Sequence, residues 1–262
     1  MVTYNPKDWF TFIFRFHKAD TFRALFPMMI AIGIYSFIVA WVEIEYMHIS
    51  KDNPLTNFSA MHSILGLVIS LLLVFRTNTA YERWWEGRKF WGALVNSSRN
   101  LAIKLHPMLG EQHTADRFFF LHMIPNYAFA LKNHLRNKIL PEDFTHPEML
   151  QPELEKNILH VPNRIARMLY ERINLLFEKG IIKQEQLLVL TSEVQQFTEI
   201  CGACERIKNT PIPFSYSSFI KKFIFFYIMT LPWGYVFSVG YLVIPIVVFI
   251  FYVLASLELI AE

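Results

Sequence analysis

Long uncharged stretches flank a charged middle along this chain. No charged residue lies between Ala24 and Val42, and at about 1.5 Å per residue that run nearly crosses a hydrocarbon core of about 30 Å. A second run extends from Asn53 to Phe75, bounded by Asp52 and Arg76. A third follows Lys221-Lys222 and stays uncharged from Phe223 to Leu257, which is too long for one crossing. Pro232 and Gly234, in Leu231-Pro232-Trp233-Gly234, supply a break, predicting one span from Phe214 to Leu231 and another from Val236 to Leu257. Lys221 and Lys222 must then face protein, a water-filled space or the interface, because exposure to lipid is costly. Between Arg76 and Thr210, where most of the charge lies, apolar residues recur with helical spacing in Phe118–Leu131, Ile165–Phe177 and Gln184–Ile207. Pro107, Pro141, Pro147, Pro152 and Pro162 mark helix boundaries there. Period-two signals are weak. The pattern predicts an all-α membrane protein with four transmembrane helices and a helical cytoplasmic region continuous with them.

Charge placement orients the spans. Lys7, Arg15, Lys18 and Arg23 precede the first, and Arg76, Arg83, Arg88 and Lys89 follow the second, whereas the loop between them holds Glu43, Glu45, Lys51 and Asp52. The positive-inside rule then puts the N-terminus, the middle region and the C-terminus in the cytoplasm, with the uncharged turn at Pro232–Gly240 outside. More than twenty amphipathic residues precede the first apolar run and no small-residue cleavage site follows it, so a secretory signal is not expected. The aromatic arm Trp9–Phe16 suits packing more than an interfacial role. Composition agrees with a bilayer protein: 53% of the 262 residues are apolar and only 18% charged, with mean hydropathy +0.29. That excludes disorder, and a net charge of +3 is too small to recruit nucleic acid. Two cysteines exclude a disulfide scaffold.

Catalytic chemistry is poorly represented. Cys201-Gly202-Ala203-Cys204 is a C-x-x-C, but neither a thioredoxin-like surround nor a second ligand pair accompanies it, so two reduced, packed thiols are expected. The nine histidines form no H-E-x-x-H, and there is no Walker loop, dinucleotide fingerprint or G-x-S-x-G. No catalytic residue, cofactor or metal is expected. The second span is more informative. Leu67, Leu71 and Phe75 form one stripe along the helix, and Ser59, Ser63, Gly66 and Ser70 form a neighbouring small-residue seam that admits another helix closely. Spacing alone assigns the large stripe to a core. Symmetry copies could instead turn it inward as rings that gate by dewetting.

The block after this span reads Phe75-Arg76-Thr77-Asn78-Thr79-Ala80-Tyr81-Glu82-Arg83-Trp84-Trp85-Glu86-Gly87-Arg88-Lys89-Phe90-Trp91-Gly92. Its tryptophans and basic residues suit a membrane anchor. The block resembles the bestrophin family, particularly its bacterial branch, and so does a second one from Ile200-Cys201-Gly202-Ala203-Cys204-Glu205-Arg206 through Asn209-Thr210-Pro211-Ile212-Pro213-Phe214-Ser215-Tyr216. The resemblance covers nearly the whole chain, so residues 1–262 read as a single bestrophin-like channel domain: a cytoplasmic arm (1–23), two spans (24–75), a cytoplasmic helical region (76–210) and the last two spans with the start of a tail (211–262).

The resemblance implies a homopentameric ion channel of the inner membrane with one central pore. Its apolar neck would be lined at Leu67, Leu71 and Phe75, and a second, cytoplasmic constriction would fall near Glu185. The family usually presents an apolar residue at that constriction, so an acidic ring would be a departure favouring cations over the family's chloride and other anions. A solvated helix face at Lys183-Gln184-Glu185-Gln186 is the competing reading. Relatives continue beyond the stretch matching Leu257–Glu262, and calcium gating draws no support from this sequence. The partners implied are small inorganic ions, the lipid bilayer and further copies of the chain. A non-conducting, membrane-anchored interaction module is the alternative, and an enzyme using the C-x-x-C a weaker third.

Overall fold

The computed structural model describes residues 21–46, 58–138, 140–150 and 160–262. The aromatic arm and Pro152 lie outside them. Every regular element among the described residues is helical: α1 (Thr21–Trp41), α2 (Phe58–Met108), α3 (Thr114–Leu135), α4 (Val161–Glu178), α5 (Gln184–Asn209), α6 (Phe214–Val239) and α7 (Val243–Ile260). They form two compact units, 1–82 with 212–262, and 83–211; α2 contributes residues to both.

Among the described residues three stretches are long and apolar enough to cross a membrane: Thr21–Tyr46, Ala60–Met108 and Phe214–Ile260. The last contains α6 and α7, and their junction differs from the expected one. Pro232 and Gly234 do not interrupt α6, which continues to Val239. Proline removes one backbone donor and crowds the preceding turn, but a neighbouring helix can compensate inside a membrane. The carbonyl that loses its helical donor at Pro232 is that of Ile228; one residue on, the Tyr35 hydroxyl of α1 braces the same turn by donating to the Met229 carbonyl at 2.8 Å, while the Trp233 indole N–H donates to Tyr35 at 2.9 Å. The helix ends instead at Gly240, whose φ of 59° is open to glycine and unfavourable for other residues. A 3-10 turn, Gly240–Leu242, leads into α7.

The first span also runs past its first charged residue. A π-helical turn, Val42–Tyr46, extends α1, so Glu43 is not in a solvated loop as its charge suggested. It is 1% exposed, and neither carboxylate oxygen has a hydrogen-bond partner among the described residues. The extension is favoured by Ile44, which packs against the unit's core. That core is built by helical spacing: Ile220, Ile224, Ile228 and Leu231 from α6, Val243, Val247, Phe251 and Leu254 from α7, and Ile69 and Leu73 from α2.

One polar constellation ties these helices together. Arg76, 1% exposed, donates to Glu258 of α7 at 2.8 Å and to the Ser217 hydroxyl of α6 at 2.8 Å. Lys221 lies 3.7 Å from Glu258 and bonds Glu262 at 3.1 Å, so this lysine is accommodated by carboxylates.

The second unit packs α3, α4 and α5 with the later turns of α2. Its core takes Leu101 and Leu105 from α2, Phe120, Met123 and Leu131 from α3, Ile165, Leu169 and Ile173 from α4, and Leu190, Val194 and Phe197 from α5. The three helices predicted by spacing occur here, with α4 opening at the predicted Pro162 boundary. Tyr127, fully buried, donates its hydroxyl to the Phe197 carbonyl at 2.7 Å. Cys201 and Cys204 are free and buried. Burial, aided by the Glu205 charge, pushes the Cys201 thiol up to about 12 and raises Cys204 as well.

Removing one partner of a buried ion pair strands the other charge. Glu258→Ala should therefore destabilise the detergent-purified protein by about 3–5 kcal/mol, read as a lower unfolding midpoint. Replacing both partners (Arg76→Met with Glu258→Leu) should recover most of that loss. The thiolate is the reactive form of cysteine, so a thiol near 12 rather than the ordinary 9 should react about 1,000-fold more slowly at neutral pH. Iodoacetamide labelling followed by mass spectrometry should find Cys201 unmodified at pH 7.5 and labelled after unfolding in detergent.

Candidate functional site: the exposed stripe of α2 and its anchoring block

Each residue of an α-helix advances about 100° around the axis, and the buried residues of α2 mark one side of it. His62, Ile69, Leu73 and Arg76 are each 1% exposed. Leu67, Leu71 and Phe75 lie opposite and are 72%, 53% and 57% exposed. Spacing alone assigned this stripe to a core, but the chain's own core uses the other face. The three side chains are therefore presented together, with no covering element among the described residues.

The neighbouring seam has a demonstrable close approach at Gly66. A Cβ there would sit 2.8 Å from the Tyr227 hydroxyl of α6, so a side chain would have to displace the end of that tyrosine. Ser63 and Ser70 are exposed, Ser70 donating back to the Gly66 carbonyl at 2.7 Å; the side chain of Ser59 lies outside the described residues. On the buried face His62 Nε2 lies 3.0 Å from the Thr230 hydroxyl of α6.

The polar block continues the same helix. Thr77 and Thr79 return their hydroxyls to the carbonyls of Leu73 and Phe75, each at 3.0 Å, so their polarity is satisfied within α2. Farther on, the Arg83 guanidinium donates to the Ile207 carbonyl at 2.7 Å and to the Thr210 carbonyl. These groups end α5 and lack intrahelical donors, and the helix dipole makes that end negative. Arg206 pairs with Glu86 at 3.2 Å. Arg83, read from sequence as a headgroup contact, thus joins the two blocks that carried the family resemblance. Trp84 and Trp85 remain 60% and 47% exposed.

Glu185 belongs to the second unit, in the exposed first turn of α5. The helix start is secured by the Lys183 N–H donating to Gln186 Oε1 at 2.8 Å, which leaves the Glu185 carboxylate unengaged by that cap. Leu188, about one turn further, is 65% exposed.

Comparison with known proteins bears on this arrangement. The family model described as "Bacterial/Fungal Bestrophin protein" matches residues 1–262. The chain is 37% identical over 188 residues to a voltage-dependent anion channel-forming protein of Synechocystis sp., a match spanning 67% of this chain and 61% of that protein. It is 28% identical over 244 residues to a protein of the same description from Nostoc sp., covering 92% and 77% of the two chains. A mutant bestrophin homologue from Klebsiella pneumoniae shares the fold, with a TM-score of 0.81 at 23% identity over 94% of this chain and 88% of that one. With the family model matched from end to end, the chain belongs to the bacterial and fungal bestrophin family.

Proposed function

We propose that this protein is a pentameric channel conducting small anions passively through a central pore. The face of α2 left uncovered by the described residues carries the reading: Leu67, Leu71 and Phe75 are exposed side by side on a helix long and apolar enough to span a bilayer. Family membership and relatives described as voltage-dependent anion channel-forming proteins support the same reading. Five copies around an axis would turn the stripe into successive apolar rings. Such rings offer little to replace an ion's hydration shell, so they hinder passage by dewetting and govern gating more than selectivity. Glu185 would form a second ring at the cytoplasmic end, where five carboxylates admit a share of cations. In this reading both chain ends and the 83–211 unit are cytoplasmic, and four helices cross the inner membrane.

Two electrical measurements test it. Leu67→Ala, Leu71→Ala and Phe75→Ala combined should raise single-channel conductance in planar bilayers several-fold while the oligomer's mass, measured in detergent, remains that of a pentamer. Unchanged currents from intact pentamers would take these residues out of the pore. Under asymmetric salt the wild type should reverse nearer the anion's equilibrium potential, and Glu185→Ala should move it further that way. Identical reversal potentials would remove Glu185 from the ion path, and a monomer without flux would leave a non-conducting interaction module as the better reading.

A further inference from the structure

Three side chains far apart in sequence converge within the second unit. His134 stands in the last turn of α3, His160 is the residue that precedes and caps α4, and Glu205 projects from α5. His134 Nε2 and His160 Nε2 lie 2.6 Å and 2.8 Å from the same Glu205 oxygen. The two imidazole rings are 4.3 Å apart, and the three ligand-type atoms all fall within 4.8 Å of one another. We propose that His134, His160 and Glu205 form a binding site for a divalent transition-metal ion of the zinc type.

Ligand chemistry and spacing support the assignment. Two imidazole nitrogens and one carboxylate form a recognised zinc ligand set that leaves a fourth, tetrahedral position for water. Bonds of about 2.0–2.2 Å put neighbouring tetrahedral ligands about 3.4 Å apart, so each present N···O separation must open by less than about 1 Å. All three side chains are 23–30% exposed, enough for an ion to enter. Burial would raise the Glu205 carboxyl, but hydrogen bonds from the two histidines overcome it and hold the group below its ordinary range. It is therefore ionised at neutral pH, as a ligand must be. The negative end of α3 adjoins the site and favours a cation. The neighbouring Lys208 ammonium is directed elsewhere, to the His134 carbonyl at 3.2 Å and Asn137 Oδ1 at 2.5 Å.

One local bond opposes the ion. The Asn163 N–H donates to His160 Nδ1 at 3.2 Å, which requires that nitrogen to be unprotonated and keeps the neutral ring's proton on Nε2. Ligation through Nε2 moves the proton to Nδ1 and releases this cap of α4. Metal uptake and the α4 cap are thus mutually exclusive. The bound ion would replace the cap with a link among α3, α4 and α5.

The test is calorimetric titration of zinc chloride into the chelator-stripped 262-residue protein in detergent, with cobalt(II) absorption reporting coordination. The expected result is one ion per chain and a tetrahedral cobalt spectrum. Affinity should fall at least tenfold in His134→Ala, His160→Ala and Glu205→Gln. His122→Ala with His146→Ala, removing another close histidine pair (ring centroids 4.3 Å apart), should bind as the wild type does. Glu205→Gln and His134→Gln preserve side-chain size and decide the matter if an alanine variant loses helicity. No uptake by the wild type, equal affinity in Glu205→Gln and His134→Gln, or loss of binding only with the His122/His146 pair would overturn the proposal.

Discussion

The desolvated charge of Arg76 constrains the first unit more than any apolar contact. A guanidinium at 1% exposure is costly unless paired, and its carboxylate partner must be removed from water as well. Glu258 supplies the opposite charge and Ser217 an acceptor, so three helices must be in register simultaneously. An apolar core tolerates small rotations because dispersion is non-directional, whereas this constellation does not. The pair's net stabilisation is modest against hydrophobic replacements, so its main contribution is to specify which face of α2 turns inward.

The second unit solves a related problem at a helix end. The last carbonyls of α5 need donors, and Arg83 provides two from α2. The two sequence blocks that identify the family are therefore parts of one contact. Fixing α2 through arginines on its inner side in both units leaves its outer stripe uncommitted. In the proposed channel that face serves neighbouring copies or an ion path, and so is not spent on the chain's own core.

Much of this was legible from periodicity. The 3.6-residue pattern located α3, α4 and α5 because each must bury one face against the others, and uncharged runs located the apolar spans because a bilayer tolerates little else. Local rules failed where a distant partner overrode them. Pro232 marks a break by propensity, but the turn is braced at the neighbouring Met229 carbonyl by Tyr35, 194 positions away. Glu43 marks a helix end by charge, yet packing of Ile44 carries the helix past it. Arg76 looks like the charge that ends a span and Arg83 like a headgroup residue, because spacing cannot show that Glu258 or the end of α5 awaits them. The grouping of Leu67, Leu71 and Phe75 was plain from the helical repeat; which way the group faces was not, since an apolar stripe suits a core and an uncovered face equally well.

Phe75, the last member of the stripe, is followed directly by Arg76. The widest side chain on the outer face is thus one residue from the most tightly held one on the inner face. Spinning α2 about its long axis far enough to swing the ring aside would pull the guanidinium from its carboxylate. That motion carries a steep energetic barrier, whereas a change of rotamer at the ring or a rigid tilt of the whole unit leaves the ion pair intact. A passage lined by this stripe would work as an iris of side chains, not as a set of turning shafts.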